Sequence, residues 1–154
     1  MQSMCMISRT SFFLAIVVAC CSALADETIV TLEKEGTRLR LSGDFISAKI
    51  IENELIDRYA QPAGHVFALN SIISQLTWDE TQTKYDEELI KHATKTLEWC
   101  EPRVDHEEVG ATANYYCGQA NFVLSFHNAL RGNYYRAGML GTASIDYLET
   151  ALSR

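Results

Sequence analysis

Histidine is the side chain in this sequence best suited to hold a metal ion or to move a proton. The four histidines are His65, His92, His106 and His127. No two of them are three or four residues apart, the spacing that would direct two imidazoles of one helix at a single ion. Glu107 and Glu108 follow His106, but the second histidine of a zinc-hydrolase motif is missing. We therefore expect no metal site, no cofactor and no catalytic residue.

Glycine-rich catalytic motifs are missing from the sequence as well. It contains neither a serine flanked by glycines, as in a nucleophile elbow, nor a glycine-rich loop that could hold a phosphate. Gly138 and Gly141 fall within a predicted amphipathic helix, where close packing against a neighbouring helix explains their small size. The sequence therefore predicts that the chain is not an enzyme.

The N-terminus has the pattern of an export signal. Arg9 ends a short polar segment, an apolar run extends from Phe12 to Ala19, and Ala23-Leu24-Ala25 supplies the small residues that signal peptidase accepts. We predict that residues 1–25 are a cleaved signal peptide. The mature protein would then be periplasmic or extracellular and would have no membrane span.

Two alternatives to simple cleavage remain open. The segment could be a retained membrane anchor, although its apolar run is near the lower limit of the about 20 residues that cross a bilayer. Val17-Val18-Ala19-Cys20 also resembles a bacterial lipobox. In that case Cys20 would be lipidated and would become the N-terminus of an outer-membrane lipoprotein.

Simple cleavage would leave Cys100 and Cys117 as a pair. Two cysteines in an exported protein suggest a disulfide. However, Cys100 ends one predicted helix and Cys117 lies about eleven residues into the next, roughly 17 Å from its start. A disulfide requires Cα atoms within about 7 Å of each other. Both a disulfide and a pair of buried thiols remain possible, and the helix lengths favour the thiols.

Composition indicates one globular domain without affinity for polyanions. Of the 154 residues, 47% are hydrophobic and 21% are charged, and the formal net charge is -7. Removing residues 1–25, whose only charged side chain is Arg9, leaves 12 basic and 20 acidic residues and a net charge of -8. Such a surface repels phosphate groups, so neither nucleic acid nor anionic lipid is expected as a partner.

Hydrophobic spacing predicts an all-α domain over residues 42–154, preceded by a charged segment at 26–41. In that segment Ile29, Leu32 and Leu39 fit a helical face, whereas residues 38–41 alternate as a strand would, and we prefer a frayed helix. Five helices follow, at about 42–60, 63–78, 84–100, 105–130 and 134–154. Because every connection is short, successive helices should be antiparallel neighbours.

Three finer expectations concern the last two helices. Asp105 and Glu108 have the spacing of an N-terminal cap, so the fourth helix should begin near His106. Gly118 and Ala120 should lie where two helices cross, because only small side chains let two backbones approach closely. The residues of the fifth helix expected to face inward are Ala137, Leu140, Ile145, Leu148 and Leu152.

The same region carries a pattern typical of a repeat. Gly118 and Ala120 precede Gly132-Asn133-Tyr134-Tyr135-Arg136-Ala137 and Tyr147-Leu148-Glu149-Thr150-Ala151-Leu152, and Gly43-Asp44-Phe45-Ile46-Ser47-Ala48 repeats the same helix opening. In these residues the chain resembles a tetratricopeptide repeat. The resemblance covers roughly residues 42–154 and implies a right-handed α-solenoid fragment of about five helices in an exported bacterial protein. The last helix would be a terminal cap, or the chain the front part of a longer array.

Aromatic and polar residues crowd the last helix pair and suggest a binding groove. The candidate partner-binding residues are Tyr116, Asn121, His127, Tyr134, Tyr135 and Arg136. Helices of this content can line a groove for a peptide or for a helix of a partner protein. We therefore predict a non-enzymatic scaffold in the bacterial cell envelope that binds a protein or peptide.

Two other functions remain open. The chain could bind a small ligand or act as an enzyme, which would require polar groups such as His65, Asn70 and His127 around one pocket. It could also be the N-terminal part of a longer repeat protein without separate activity. An exposed apolar patch on the last helix would favour that second alternative.

Overall fold

The computed structural model describes residues 27–154, which form α-helices and no β-strand. The elements are α1 (residues 27–41), α2 (Phe45–Arg58), α3 (Ala63–Leu76), α4 (Asp86–Cys100), a short 3₁₀ helix (Glu101–Arg103), α5 (Gly110–Leu130) and α6 (Tyr134–Ser153). The predicted all-α class is confirmed. The predicted signal peptide and the lipidation candidate Cys20 lie outside the described residues. Among residues 27–154, no helix has both the length and the hydropathy needed to cross a membrane.

The charged segment that opens this range is a continuous helix that packs into the core. Ile29 is buried, and Leu39 packs against the same apolar cluster. A Cβ atom at Gly36 would lie 2.7 Å from Cζ of Phe67 in α3, so the missing side chain lets α1 approach α3 closely. The strand alternative for residues 38–41 is wrong, because these residues are helical and Leu39 packs against the core whereas Leu41 is exposed.

Helices α3 and α5 each lie against the two helices that precede them. Beside its contact with α1, α3 touches α2 at Gly64, where an added Cβ would lie 2.5 Å from the backbone nitrogen of Ile56. Helix α5 contacts both α3 and α4. Leu69, Leu89 and Val123, one from each of α3, α4 and α5, share one buried cluster. Each of these helices therefore occupies the groove between the two helices before it.

Helix α6 packs against α5 through a close crossing at Gly118. A Cβ atom at Gly118 would lie 2.7 Å from Cγ of Leu148, and the Ser144 hydroxyl donates a hydrogen bond of 2.9 Å to the Gly118 carbonyl oxygen. The predicted crossing at Gly118 is therefore present. Ala120 is also buried, but it packs in the cluster formed with α3 and α4 rather than against α6.

The orientation of α6 differs from the prediction. Ile145 and Leu152 were expected to face inward, yet 58% and 90% of their surfaces are exposed. Ser144, the residue before Ile145, is buried against α5 instead. Ser144 and Leu148 occupy the face of α6 that meets Gly118, so Ile145, about 100° around the helix from Ser144, points outward. The expectation for Ile145 and Leu152 is wrong for that reason.

Helix α5 begins later than the capping pattern predicts. Val109, the residue before the helix, makes no side-chain cap, and residues 105–108 lie in turns. The side-chain amide of Asn114 donates hydrogen bonds of 2.8 Å to the Val104 carbonyl and 2.7 Å to the Gly110 carbonyl. The predicted cap at residues 105–108 is wrong, because the chain uses these residues to turn before the helix starts.

The late start of α5 allows Cys100 and Cys117 to form a disulfide. Their Cα atoms are 5.7 Å apart, and both side chains are fully buried. Cys117 is the eighth residue of α5, about 11 Å along its axis from Gly110, rather than roughly 17 Å as the predicted helix required. The connection 101–109 carries the chain beyond the end of α4, so α5 passes Cys100 on its return. The preferred reading of two buried thiols is therefore wrong.

The crossing at Gly118 leads to a stability prediction with a matched control. We expect Gly118→Leu to lower the free energy of unfolding by about 1–3 kcal/mol, because the new side chain would overlap Leu148. Gly138, also helical, is the control, since a Cβ there would meet no neighbouring element of residues 27–154 within 4 Å. That finding also removes the packing explanation for Gly138. In urea unfolding, Gly138→Leu should keep or raise stability by up to about 1 kcal/mol; equal losses in both variants would contradict the close crossing.

Reduction of the disulfide should destabilise the protein. The two cysteines are 17 residues apart, and the loss of loop-closure entropy for a loop of that length corresponds to about 3 kcal/mol. Urea unfolding of residues 26–154 with and without a reductant measures the difference. A double variant, Cys100→Ala with Cys117→Ala, should be insensitive to the reductant; a reductant effect of the same size in that variant would show that the disulfide is not its cause.

Candidate functional site

Three of the predicted binding residues are buried and cannot contact a partner in this conformation. Tyr116 lies in the core cluster, the side-chain amide of Asn121 donates a 2.9 Å hydrogen bond to the Cys117 carbonyl, and Nε2 of His127 lies 3.2 Å from Oδ1 of Asp86. These three side chains are directed into the protein rather than towards its surface. Burial therefore contradicts their assignment to a partner-binding surface. Sequence spacing did not distinguish core side chains from exposed ones.

The other three predicted binding residues are exposed and lie at the beginning of α6. Tyr134, Tyr135 and Arg136 form the first turn of α6, and both tyrosines are largely exposed. At 1.5 Å per residue, Tyr134 lies about 27 Å along the helix axis from Leu152. These residues therefore mark one end of α6, far from the apolar surface at its other end.

An apolar groove lies between the beginning of α5 and the end of α6. Its volume is about 460 Å³, and it is lined by Ala111, Thr112, Tyr115, Leu148, Ala151 and Leu152. On each helix the lining residues are spaced one, three or four positions apart, so each helix offers a single face. Leu152 is 90% exposed and Tyr115 is about half exposed. A tyrosine and a leucine of the groove are thus available to a partner.

Charged groups border this groove. Burial and the nearby charge of Glu33 in α1 raise the pKa of the Tyr115 hydroxyl. At the beginning of α5, a Cβ atom at Gly110 would overlap the guanidinium group of Arg154, and Nη2 of Arg154 lies 3.6 Å from Oδ1 of Asp105. The groove itself is mostly apolar, and both an acidic residue and an ion pair lie close to residues that form it.

A second feature, which we call the polar cluster, joins α2, α3 and α4. It consists of Lys49, Glu52, His65, Glu88 and His92. Nζ of Lys49 lies 2.5 Å from Oε1 of Glu52 and 3.1 Å from Oε1 of Glu88. The Nδ1 atoms of His65 and His92 are 2.9 Å apart, and Nε2 of His92 lies 3.8 Å from Oε1 of Glu88. Two acids, one ammonium and two imidazoles thus meet between three helices.

Burial governs ionisation in the polar cluster. Only 3% of Glu52 is exposed, and this burial raises the pKa of its carboxyl group although Lys49 acts in the opposite direction. Burial, followed by the neighbouring His65, lowers the pKa of His92 from 6.5 to about 4. Burial lowers the pKa of His65 as well. Both imidazoles are therefore neutral near pH 7.

A small cavity lies beside the polar cluster. Its volume is about 70 Å³, and Lys49, Glu52, Ser71 and Glu88 are among its lining residues. Since about 10–15 Å³ suffices for one water molecule, the cavity has room for several. Of the residues considered for an alternative ligand pocket, His65 is paired with His92, whereas His127 lies beside Asp86.

Histidine spacing in the sequence does not reveal the polar cluster, because its two histidines lie on different helices. Glu88 and His92 are one helical turn apart in α4, and this acid–imidazole spacing is visible in the sequence. Glu52 and His65 come from α2 and α3, and no local pattern shows that these helices bring them to His92. Comparisons of the chain with protein-family models, curated proteins and solved structures gave no match.

The low pKa of His92 predicts how stability depends on pH. Between about pH 6.5 and pH 4 the unfolded chain binds a proton at His92 that the folded chain does not, so stability falls as the pH falls. The His92→Gln variant has no imidazole to bind this proton, so it should lose less stability over that interval than the parent. Urea unfolding in EDTA at a series of pH values measures it, with the exposed His106→Gln as control. A pH profile of His92→Gln parallel to that of the parent would contradict the prediction.

Proposed function

We propose that this protein is a non-enzymatic helical scaffold that binds an amphipathic helix of a partner protein in the groove between α5 and α6. The observation that carries the proposal is the open apolar groove, with the exposed Leu152 at its edge. Among the described residues that line it, side chains are apolar or hydroxyl-bearing, which suits binding rather than acid–base catalysis. Full burial of one leucine side chain contributes about 1.5–3 kcal/mol to association.

Two helices of this chain already occupy grooves between pairs of other helices. Helix α3 lies against α1 and α2, and α5 lies against α3 and α4, each burying apolar residues there. The groove between α5 and α6 follows the same pattern, but no helix of residues 27–154 occupies it. A partner helix with apolar residues at intervals of three and four would match the two faces that line it.

A tetratricopeptide-like stack is the arrangement that we propose for the helices. Contacts from α1 to α3 and from α3 to α5 support one layer, and the ion pair of Lys49 with Glu88 links α2 to α4 in the other. The repeat pattern around Gly118 supports the same arrangement. In such a stack the next helix would cover the groove, so the second candidate function is that of a unit within a longer repeat protein. The exposure of Leu152 favours this candidate as well.

The chemistry of the partner follows from charge. The chain carries a formal net charge of -7, and Glu33 acts on Tyr115 at the side of the groove. A helix with an apolar stripe and basic flanking residues would complement this surface, and complementary charge accelerates association. We propose a protein or peptide of this kind as the partner and exclude nucleic acid.

The proposed location is the bacterial cell envelope, either periplasmic or extracellular. The disulfide between Cys100 and Cys117 supports it, because disulfides persist in oxidising compartments. The pattern of residues 1–25 supports export, with lipidation of Cys20 as the alternative to simple cleavage. An anchored protein would present the same groove to partners in the envelope.

Affinity capture with two matched variants tests the proposed function. The parent protein, a Leu152→Asp variant and a Tyr135→Ala variant serve as baits in cross-linked envelope extract. Both altered residues are more than four-fifths exposed, so neither change should disturb folding, and circular dichroism checks this. We expect a partner that the parent and Tyr135→Ala capture and Leu152→Asp loses, with cross-links to residues 111–115 or 148–152. Equal capture by all three baits would place the partner elsewhere.

A further inference from the structure

The polar cluster has the donor set and the spacing of a metal site. Glu52, Glu88 and His92 each offer one ligand atom, and these three atoms lie within 4.8 Å of one another. Zinc binds imidazole nitrogen and carboxylate oxygen at about 2.0–2.2 Å, so movements of about 1 Å would bring all three atoms into its coordination sphere. The side chain of Glu88 is 44% exposed and is therefore free to make such a movement.

The orientation of His92 is a second and independent indication. The residue is only 6% exposed, and its Nδ1 atom already faces His65. Its Nε2 atom points at Glu88 across 3.8 Å, which is too long for a hydrogen bond. Nε2 of this buried residue is thus directed at a carboxylate without being hydrogen-bonded to it. If Nδ1 donates its proton to His65, the lone pair of Nε2 is free for a metal ion, and such outer partners commonly orient metal-binding histidines.

Lys49 shows that the site already attracts a cation. Its ammonium group lies between the two carboxylates, yet it supplies only one positive charge for two acids. A divalent ion would balance both charges and would also occupy the lone pair of His92, which an ammonium group cannot do. Half of the Lys49 side chain is exposed, so it can swing into solvent when a metal ion arrives.

We infer that Glu52, Glu88 and His92 form a site for a divalent transition-metal ion, with Lys49 as a built-in competitor and His65 as the residue that positions His92. The neighbouring cavity has room for water molecules that complete the coordination sphere. The imidazole ligand favours zinc over magnesium and calcium, which prefer oxygen ligands. The site joins α2 to α4 and does not depend on the groove between α5 and α6.

Calorimetric titration with zinc tests this inference. The full chain is used with its disulfide oxidised and with Cys5, Cys20 and Cys21 replaced by serine, so that no free thiolate competes for the metal. We expect one zinc ion per chain, with no displacement by millimolar magnesium. Glu52→Gln and His92→Gln should each weaken binding at least tenfold. Glu87→Gln, an exposed acid beside Glu88, should leave the affinity unchanged.

The variant Lys49→Met provides the most specific test. Removal of the competing ammonium group should strengthen zinc binding at least tenfold, whereas a non-specific surface site would show no such gain. Circular dichroism confirms the fold of each variant, and Lys49→Met still decides the question if Glu52→Gln does not fold. The inference is overturned if neither the parent nor Lys49→Met binds zinc, or if His92→Gln binds it as tightly as the parent.

Discussion

The disulfide between Cys100 and Cys117 is the constraint on which the other features depend. It ties the end of α4 to the middle of α5 inside the core. Helix α4 carries Glu88 and His92 of the polar cluster. Helix α5 carries Gly118, the neighbour of Cys117, against which α6 packs to form the groove. One covalent bond therefore joins α4, which carries part of the polar cluster, to α5, which carries one side of the groove. Ion pairs of Asp86 with His127 and Arg131 link the same two helices.

The two sites represent opposite uses of the same helical framework. The groove leaves a leucine and a tyrosine exposed, although burying them would add stability. This loss of stability is expected for a surface that stays open for a partner. The polar cluster instead buries Glu52 with an ammonium group nearby. Apolar side chains of similar volume often stabilise a core as well as a buried ion pair does. Binding of a metal ion therefore explains a buried acid beside a neutral histidine better than a contribution to stability does.

The sequence predicted the features that depend on local chain chemistry. Helix periodicity and the small residue at Gly118 correctly indicated an all-α fold for the part of the chain that the structure describes, with one close crossing. Features that depend on long-range geometry were missed. The disulfide depends on how the turns at 105–108 delay α5, and the polar cluster depends on how three helices meet. The outward orientation of Ile145 depends on which face of α6 meets Gly118, and periodicity alone does not define this.

The central claim is that the groove between α5 and α6 receives a helix. Hydrogen exchange of the oxidised protein, measured alone and in complex with a partner captured from the envelope, tests it most directly because every amide of the chain reports at once. Binding in the groove predicts slower exchange in residues 111–115 and 148–152, with residues 134–136 unchanged. Slower exchange confined to residues 134–136, or to the exposed face of α2, would contradict the claim and place the binding surface elsewhere.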